Sequence, residues 1–184
     1  MKNLKGKYCI VTGAGKGIGK AIAKRFLEEE AAGVAILEWN LELAEATAKE
    51  LGYEPFARWV VGTDIGVEPR LMGIGPAYSN LMAIERAGLK VSDIDVFECN
   101  EAFAAQNLSV IKEMEIQSGM AIDQEKWNPN GGAISFGHPN GASGARIGIF
   151  CMKELARSGG RYGLFSSCCG GGQGVTTLIE NLRR

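Results

Sequence analysis

Gly163-Leu164-Phe165-Ser166-Ser167-Cys168-Cys169-Gly170-Gly171-Gly172-Gln173-Gly174-Val175-Thr176-Thr177-Leu178-Ile179-Glu180 decides how this chain is read. Residues 163–168 form a run of strand formers that ends in a glycine turn, and residues 175–180 form a second such run after it. Cys168 closes the first strand, one residue before three glycines. At such a place a thiol can point into a cleft while backbone N–H groups of the turn face an oxyanion. The alternative is a buried structural thiol, the reading that suits Cys9, Cys99 and Cys151.

Working outward, Asp95-Val96-Phe97-Glu98-Cys99 reads as a strand closing at Asn100, and Glu101 to about Met114 as a helix anchored by Phe103, Leu108 and Ile111. Asn100, between strand and helix, suits either a helix cap or a site residue. Residues 117–130 are mostly polar and read as a surface loop. Next comes a stretch dense in small residues, Asn130 to Arg146, inside which a helix running to about Arg157 begins at Ser143. Ile147, Ile149, Phe150 and Met152 make that helix too apolar for solvent on all sides. His138, the only histidine, sits in Gly137-His138-Pro139 at the approach to this helix. An imidazole is the one side chain whose ordinary pKa suits proton transfer near pH 7. Upstream, Phe56–Val61 reads as a strand, Met72–Pro76 as a glycine-rich loop, and the residues from Pro76 to about Ala87 as a helix stopped by Gly88. The order β-α-β-α-α-β-β is a layered α/β pattern.

The chain opens differently. Tyr8-Cys9-Ile10-Val11 is a short strand ended by glycine, in Thr12-Gly13-Ala14-Gly15-Lys16-Gly17-Ile18-Gly19. A helix follows to about Glu30, with Ile18, Ala21, Ile22 and Phe26 on one face. Val34–Leu37 is a second strand closed by Glu38, and Leu41–Leu51 a second helix. This β-α-β-α is the opening of a doubly wound parallel sheet. A strand that turns at once into a helix over a phosphate needs residues without Cβ, and the helix N-terminus offers N–H groups to a pyrophosphate. Gly13, Gly17, Ile18 and Gly19 are the candidate cofactor-binding turn. Glu38 stands where a carboxylate accepts hydrogen bonds from a ribose diol and repels a 2′-phosphate.

Composition sets limits. A net charge of −1 gives no reason to expect nucleic acid or an acidic membrane surface as partner. No hydrophobic run is long enough to span a bilayer. The five cysteines are odd in number and none of their spacings suggests zinc, so no metal is expected and thiols in a reducing cytoplasm are the better reading. The composition offers no flexible linker near Leu51-Gly52-Tyr53-Glu54-Pro55.

The first segment, residues 4–50, resembles the short-chain dehydrogenase/reductase family, whose cofactor turn is Thr-Gly-x-x-x-Gly-x-Gly. That family's Tyr-x-x-x-Lys is absent: the residues four beyond Tyr8, Tyr53, Tyr78 and Tyr162 are Thr12, Ala57, Met82 and Ser166. Its Asn-Ala-Gly signature is absent too, so hydride transfer by its mechanism is not supported. From about Pro55 to Leu182 the chain resembles the C-terminal half of a thiolase. The motifs are Asn100-Glu101-Ala102-Phe103, Asn130-Gly131-Gly132-Ala133-Ile134, Gly137-His138-Pro139, Gly141-Ala142-Ser143-Gly144-Ala145-Arg146, and the cysteine–glycine turn. The resemblance implies that His138 activates a nucleophilic cysteine and helps bind the thioester oxygen. It implies that Cys168 removes or returns an α-proton and that Asn100 orients a water at an oxyanion site. Cys169 inherits no role.

These readings give a partial Rossmann-type fragment over 1–50 and a thiolase-like layered α/β domain over 51–184. The expected chemistry is acyl transfer on coenzyme A thioesters, with no cofactor required and the nucleophilic cysteine half lacking. The expected partners are an acyl-CoA and a second copy or a complementary thiolase half. The alternatives are an NAD-holding module without hydride chemistry, and a fusion without activity.

Overall fold

The computed structural model describes residues 3–52 and 55–183, so Tyr53 and Glu54, between the expected glycine stop and proline, lie outside the described residues. The chain divides into two units, 1–55 and 56–184. In the first, β1 (Tyr8–Thr12) pairs in parallel with β2 (Gly33–Leu37), Tyr8 opposite Gly33 and Thr12 opposite Leu37. α1 (Gly17–Glu28) and α2 (Leu41–Glu50) follow the two strands, as the sequence pattern requires. Asn40 caps α2 by accepting from the Leu43 N–H.

The core of this unit is small: Val11, Ala14 and Ala23, with Phe26, Val34, Ile36 and Leu51 packed on it. Two strands cover only a narrow stripe of a helix. α1 therefore seats Ala23 against them, and the expected face is corrected: Ile18 is 82% exposed and Ala21 and Ile22 are exposed too. Side chains alternate along a strand. Val11, Val34 and Ile36 point into this core, which leaves Tyr8, Ile10 and Leu37 exposed on the other face of the ribbon.

In the second unit four strands lie in the order β3 (Ala57–Gly66), β6 (Gln173–Asn181), β5 (Tyr162–Cys169), β4 (Ile94–Cys99). β6 is antiparallel to both neighbours, and β4 and β5 are parallel. α3 (Gly75–Arg86) and α4 (Ala104–Ser118) cover one face, burying Ala77, Ile84, Phe97, Val110, Met114, Leu164 and Leu178 together. α6 (Ser143–Ser158) covers the other with Cys151 and Leu155 against Val96 and Ile179. A single-turn helix, α5 (Ala133–Phe136), precedes it. This is the layered α/β architecture that the order of elements implies.

Three local expectations are corrected. The glycine-rich segment before α3 is a 3₁₀ stretch, Pro69–Ile74, rather than a loop. Phe103 and Leu108 are exposed, and the buried stripe of α4 is Gln106, Asn107, Val110, Ile111 and Met114. The two amides tolerate burial because they are paired. Asn107 donates to Asn100 O at 3.2 Å and accepts from Trp127 Nε1 at 2.8 Å, while Gln106 donates to Gly73 O at 2.9 Å. The polar segment 117–130 is not a free surface loop. Trp127 stacks on Phe97 with centroids 5.4 Å apart. Asn128 accepts from Cys99 N at 2.8 Å and donates to Cys99 O at 3.0 Å, pairing the edge of β4 as a further strand would.

β4 also buries a carboxyl. Glu98 is 1% exposed on the α6 side, and its Oε1 has no hydrogen-bond partner. Burial, with help from Glu154 and Glu101 and against the pull of Arg146, raises its pKa from 4.5 to about 8. Below about 4.5 the folded and unfolded chains both hold this proton. Between about 4.5 and about 8 only the folded chain holds it, so the contribution of Glu98 to stability falls as pH rises. Across that window each step of one in pH weakens the contribution by up to about 1.4 kcal/mol. Glu98→Gln removes this dependence. In urea unfolding across the same window, the variant is expected to gain stability relative to the parent steadily with pH. A constant difference between the two would contradict the assignment.

Candidate functional site

The edge where β4 and β5 end carries two of the three expected residues. Cys99 lies opposite Ser166, and the next residue, Asn100, donates its backbone N–H to Ser166 O at 2.9 Å. Asn100 is 2% exposed, and its side-chain Oδ1 is buried without a partner. It is not a helix cap: α4 begins at Ala104 with Phe103 in the cap position. A buried acceptor with nothing to accept from is the kind of group that holds a water or a ligand.

Cys168 lies two residues beyond Ser166, opposite Gly174 of β6. Strand alternation puts Leu164, Ser166 and Cys168 on the face that carries α3 and α4. The thiol is half-buried, and burial raises its pKa, so it is protonated at neutral pH. The other thiols of this unit that lie in the core are inert by position: Cys99 is pushed to about 12 and Cys151 well above its ordinary value, both chiefly by burial. The glycines beyond Cys168 have definite roles. Gly171 and Gly172 hold φ of 89° and 94°, which side chains rarely adopt. A Cβ on Gly174 would run into the Gly75 carbonyl, so the turn seats directly on the first residue of α3. Gly172 O accepts from Val67 N at 2.6 Å.

His138 lies on the exposed turn between α5 and α6. Its Nδ1 is 2.6 Å from Ser143 Oγ, and Arg146 Nη1 donates to Gly137 O at 2.6 Å. The segment leading to it is tied to the end of β4 by Glu101. One carboxylate oxygen accepts from Ile134 N at 2.9 Å and the other from Asn128 Nδ2 at 3.2 Å. Gly132 permits this approach, since a Cβ there would overlap the Glu101 carboxyl carbon. Asn100 and Cys168 thus share one strand edge, and the His138 segment is anchored to the same strand end. Glu101, Ser143 and Arg146 were visible in the sequence only as motif positions. Their work depends on partners 27 to 33 residues away or on a turn geometry that spacing does not encode.

In the first unit the glycine turn is formed as expected. Gly13 and Gly17 hold φ of 61° and 55°, and a Cβ on Gly19 would overlap Gly13 O. Glu38 is engaged within the turn itself. It accepts from Gly15 N at 2.9 Å and from Asn40 N at 3.1 Å, and these bonds, Asn40 first, hold its pKa below the ordinary value. Thr47 Oγ1 donates to Gly15 O at 2.8 Å. These residues fit the adenosine and pyrophosphate end of a dinucleotide: the turn is open-backed, and Glu38 keeps lone pairs for a diol. Among the described residues of this two-stranded unit nothing corresponds to a nicotinamide site. Among the described residues of the whole chain no group of three His, Cys, Asp or Glu side chains is placed to hold a metal ion, and no helix is long and apolar enough to cross a membrane.

Comparison with known proteins gives two family matches. The model described as thiolase, C-terminal domain, covers residues 53–181, and that described as short chain dehydrogenase covers 7–74. They overlap over 53–74, where β3 pairs with β6 in the sheet of the second unit. A beta-ketothiolase of Cupriavidus necator is 46% identical over 156 residues, 85% of this chain and 36% of that protein. The 3-oxoadipyl-CoA/3-oxo-5,6-dehydrosuberyl-CoA thiolase of Escherichia coli is 48% identical over 139 residues, 76% of this chain and 34% of that protein. The crystal structure of the Bacillus anthracis acetyl-CoA acetyltransferase superposes with a TM-score of 0.70 at 45% identity, covering 75% of this chain and 34% of that one. The chain therefore spans about a third of the length of these relatives. It joins a short-chain dehydrogenase segment to a thiolase C-terminal domain, and through the match over residues 53–181 it belongs to the thiolase family.

Proposed function

We propose that residues 56–184 supply the proton-handling half of a thiolase-type acyl-transfer site acting on coenzyme A thioesters. The observation that carries this reading is the single edge formed by β4 and β5, with Asn100 on one strand end and Cys168 on the other. In this reading His138 Nε2 takes the proton of a nucleophilic thiol supplied by a complementary thiolase half. The thiolate attacks the thioester carbonyl, and the new Nε2–H donates to the oxygen that becomes negative. Coenzyme A leaves with the proton of the Cys168 thiol, and an acyl-enzyme remains. Cys168, as a thiolate, then takes the α-proton of a second acyl group. A water held by the free Oδ1 of Asn100 donates to the developing enolate. The enolate carbon attacks the acyl-enzyme and releases the nucleophilic cysteine. In the thiolysis direction the same groups work in reverse, and Cys168 enters as the thiol, the form that its burial favours.

The nucleophile must come from another chain or segment, because none of the five cysteines occupies a matching place. Cys9 belongs to the first unit, Cys99 and Cys151 are buried, and Cys169 fills a variable motif position. The test is acetoacetyl-CoA thiolysis by the chain mixed with a separately produced N-terminal half of a thiolase. The mixture is expected to turn over, and His138→Ala or Cys168→Ala to cost about a hundredfold to ten-thousandfold. Turnover that survives Cys168→Ala would remove Cys168 as the proton shuttle.

The glycine turn favours a second reading for the first unit, binding of the adenosine end of NAD through Gly13, Gly17, Ile18, Gly19 and Glu38. Bound NAD would supply a hydride acceptor, but this chain brings no tyrosine–lysine pair to use it, so the reading is binding alone. Calorimetry with NAD is expected to give an affinity that drops about tenfold in Glu38→Ala, for loss of charge-assisted bonds to the diol. An affinity that is the same in both proteins would remove the ribose assignment.

A further inference from the structure

The first turn of α6 grips the His138 segment at two points. Ser143 Oγ meets Nδ1 at 2.6 Å, and Arg146 Nη1 holds the carbonyl of the preceding residue, Gly137, at 2.6 Å. Neither contact takes up Nε2. The contact at Nδ1 is ambiguous in isolation, since a hydroxyl and a neutral imidazole can each donate or accept. The surroundings of Ser143 favour one arrangement. Ser143 is the first residue of α6, and its hydroxyl reaches back to the carbonyl four residues earlier. Here that carbonyl is Pro139 O, 3.4 Å from Ser143 Oγ. A hydroxyl proton given to that carbonyl leaves the oxygen only lone pairs to offer Nδ1. Ser143 is 5% exposed, so little water competes for the contact.

We propose that Ser143 is the positioning residue that fixes the tautomer of His138, accepting from Nδ1–H so that Nε2 carries the free lone pair. Arg146 supports this by anchoring the Gly137 carbonyl, which stops the turn from rotating the ring away from Ser143. The device gives the acyl-transfer reading what its first step requires, a base at Nε2 before the thiol proton arrives. It deepens that reading and rests on it for its purpose, but not for its observation.

Because His138 is the only histidine, a sample labelled with ¹⁵N-histidine reports on this ring alone. Two-bond ¹H–¹⁵N correlation on the full chain, at about two pH units above the ordinary imidazole pKa of about 6.5, reads which nitrogen holds the proton. The expected result is Nδ1–H over Nε2–H by about five to one, the ratio that one net hydrogen bond of about 1 kcal/mol supplies. Ser143→Ala is expected to abolish the preference, Ser143→Thr to restore it, and Arg146→Ala to weaken it. A parent protein with its proton on Nε2 overturns the proposal without recourse to any variant. So does a folded Ser143→Ala, checked by thermal melting, that keeps Nδ1–H. The outcome is independent of turnover. Failed thiolysis with the expected tautomer would count against the acyl-transfer reading alone, and turnover with the opposite tautomer against Ser143 alone.

Discussion

Parallel pairing of β4 with β5 underlies everything at the site. It sets Cys99 against Ser166 and lets Asn100 close the ladder onto Ser166 O, so β4 ends two residues short of the level of Cys168. A slip of one residue would send Asn100 and Cys168 to the wrong faces and expose Phe97 or Leu164. Burial of those two side chains in one core makes such a slip costly. Asn128 and Glu101 then use the free edge of β4 as a mount. The first pairs with the Cys99 backbone, and the second draws in the segment that leads to His138. An edge strand left bare invites pairing with another chain. Here the protection of the edge and the placement of the site are the same set of hydrogen bonds.

The opposite ends of the glycine turn show how close approach substitutes for side-chain packing. Gly174 meets Gly75 backbone to backbone, and Gly172 meets Val67. Dense van der Waals contact at the range of the first pair requires the absence of Cβ on both partners. The cysteine–glycine turn is thereby held by the start of α3, an element almost a hundred residues earlier in the sequence. The first unit has no comparable reserve. Its core is a handful of small side chains on one face of a two-stranded ribbon, and two-stranded sheets hold together weakly in water. Exposed Tyr8, Ile10 and Leu37 mark the face that further helices of a doubly wound sheet would cover.

Much of the fold was legible in the sequence because its elements carry strong punctuation. Gly88 stops α3, glycines flank β5 and lead into β6, and Pro76 opens a helix. The candidate site residues stood out as motif positions, and in the structure Asn100 follows the end of β4 while Cys168 lies two residues beyond Ser166 on β5. What could not be read depended on burial of polar groups. The stripe of α4 is set by Gln106 and Asn107, which count as solvent-facing until their partners Gly73, Asn100 and Trp127 are known. The same holds for Asn128 in a segment whose polarity suggested a free loop, and for Glu38, whose carboxylate is spent partly on its own turn. Helical periodicity placed Ile18 and Ile22 inside because it assumes a sheet wide enough to receive them.

Whether Asn100, His138 and Cys168 serve one site at the β4–β5 edge is open to a proximity measurement free of any assay. Cys168 is alkylated in a background with Cys9 and Cys169 replaced by serine, and the ring resonances of the single histidine are compared before and after. A clear shift of His138 on complete modification of Cys168 is expected. Unmoved resonances, with modification verified by mass spectrometry, would place the two side chains in separate environments and contradict a shared site.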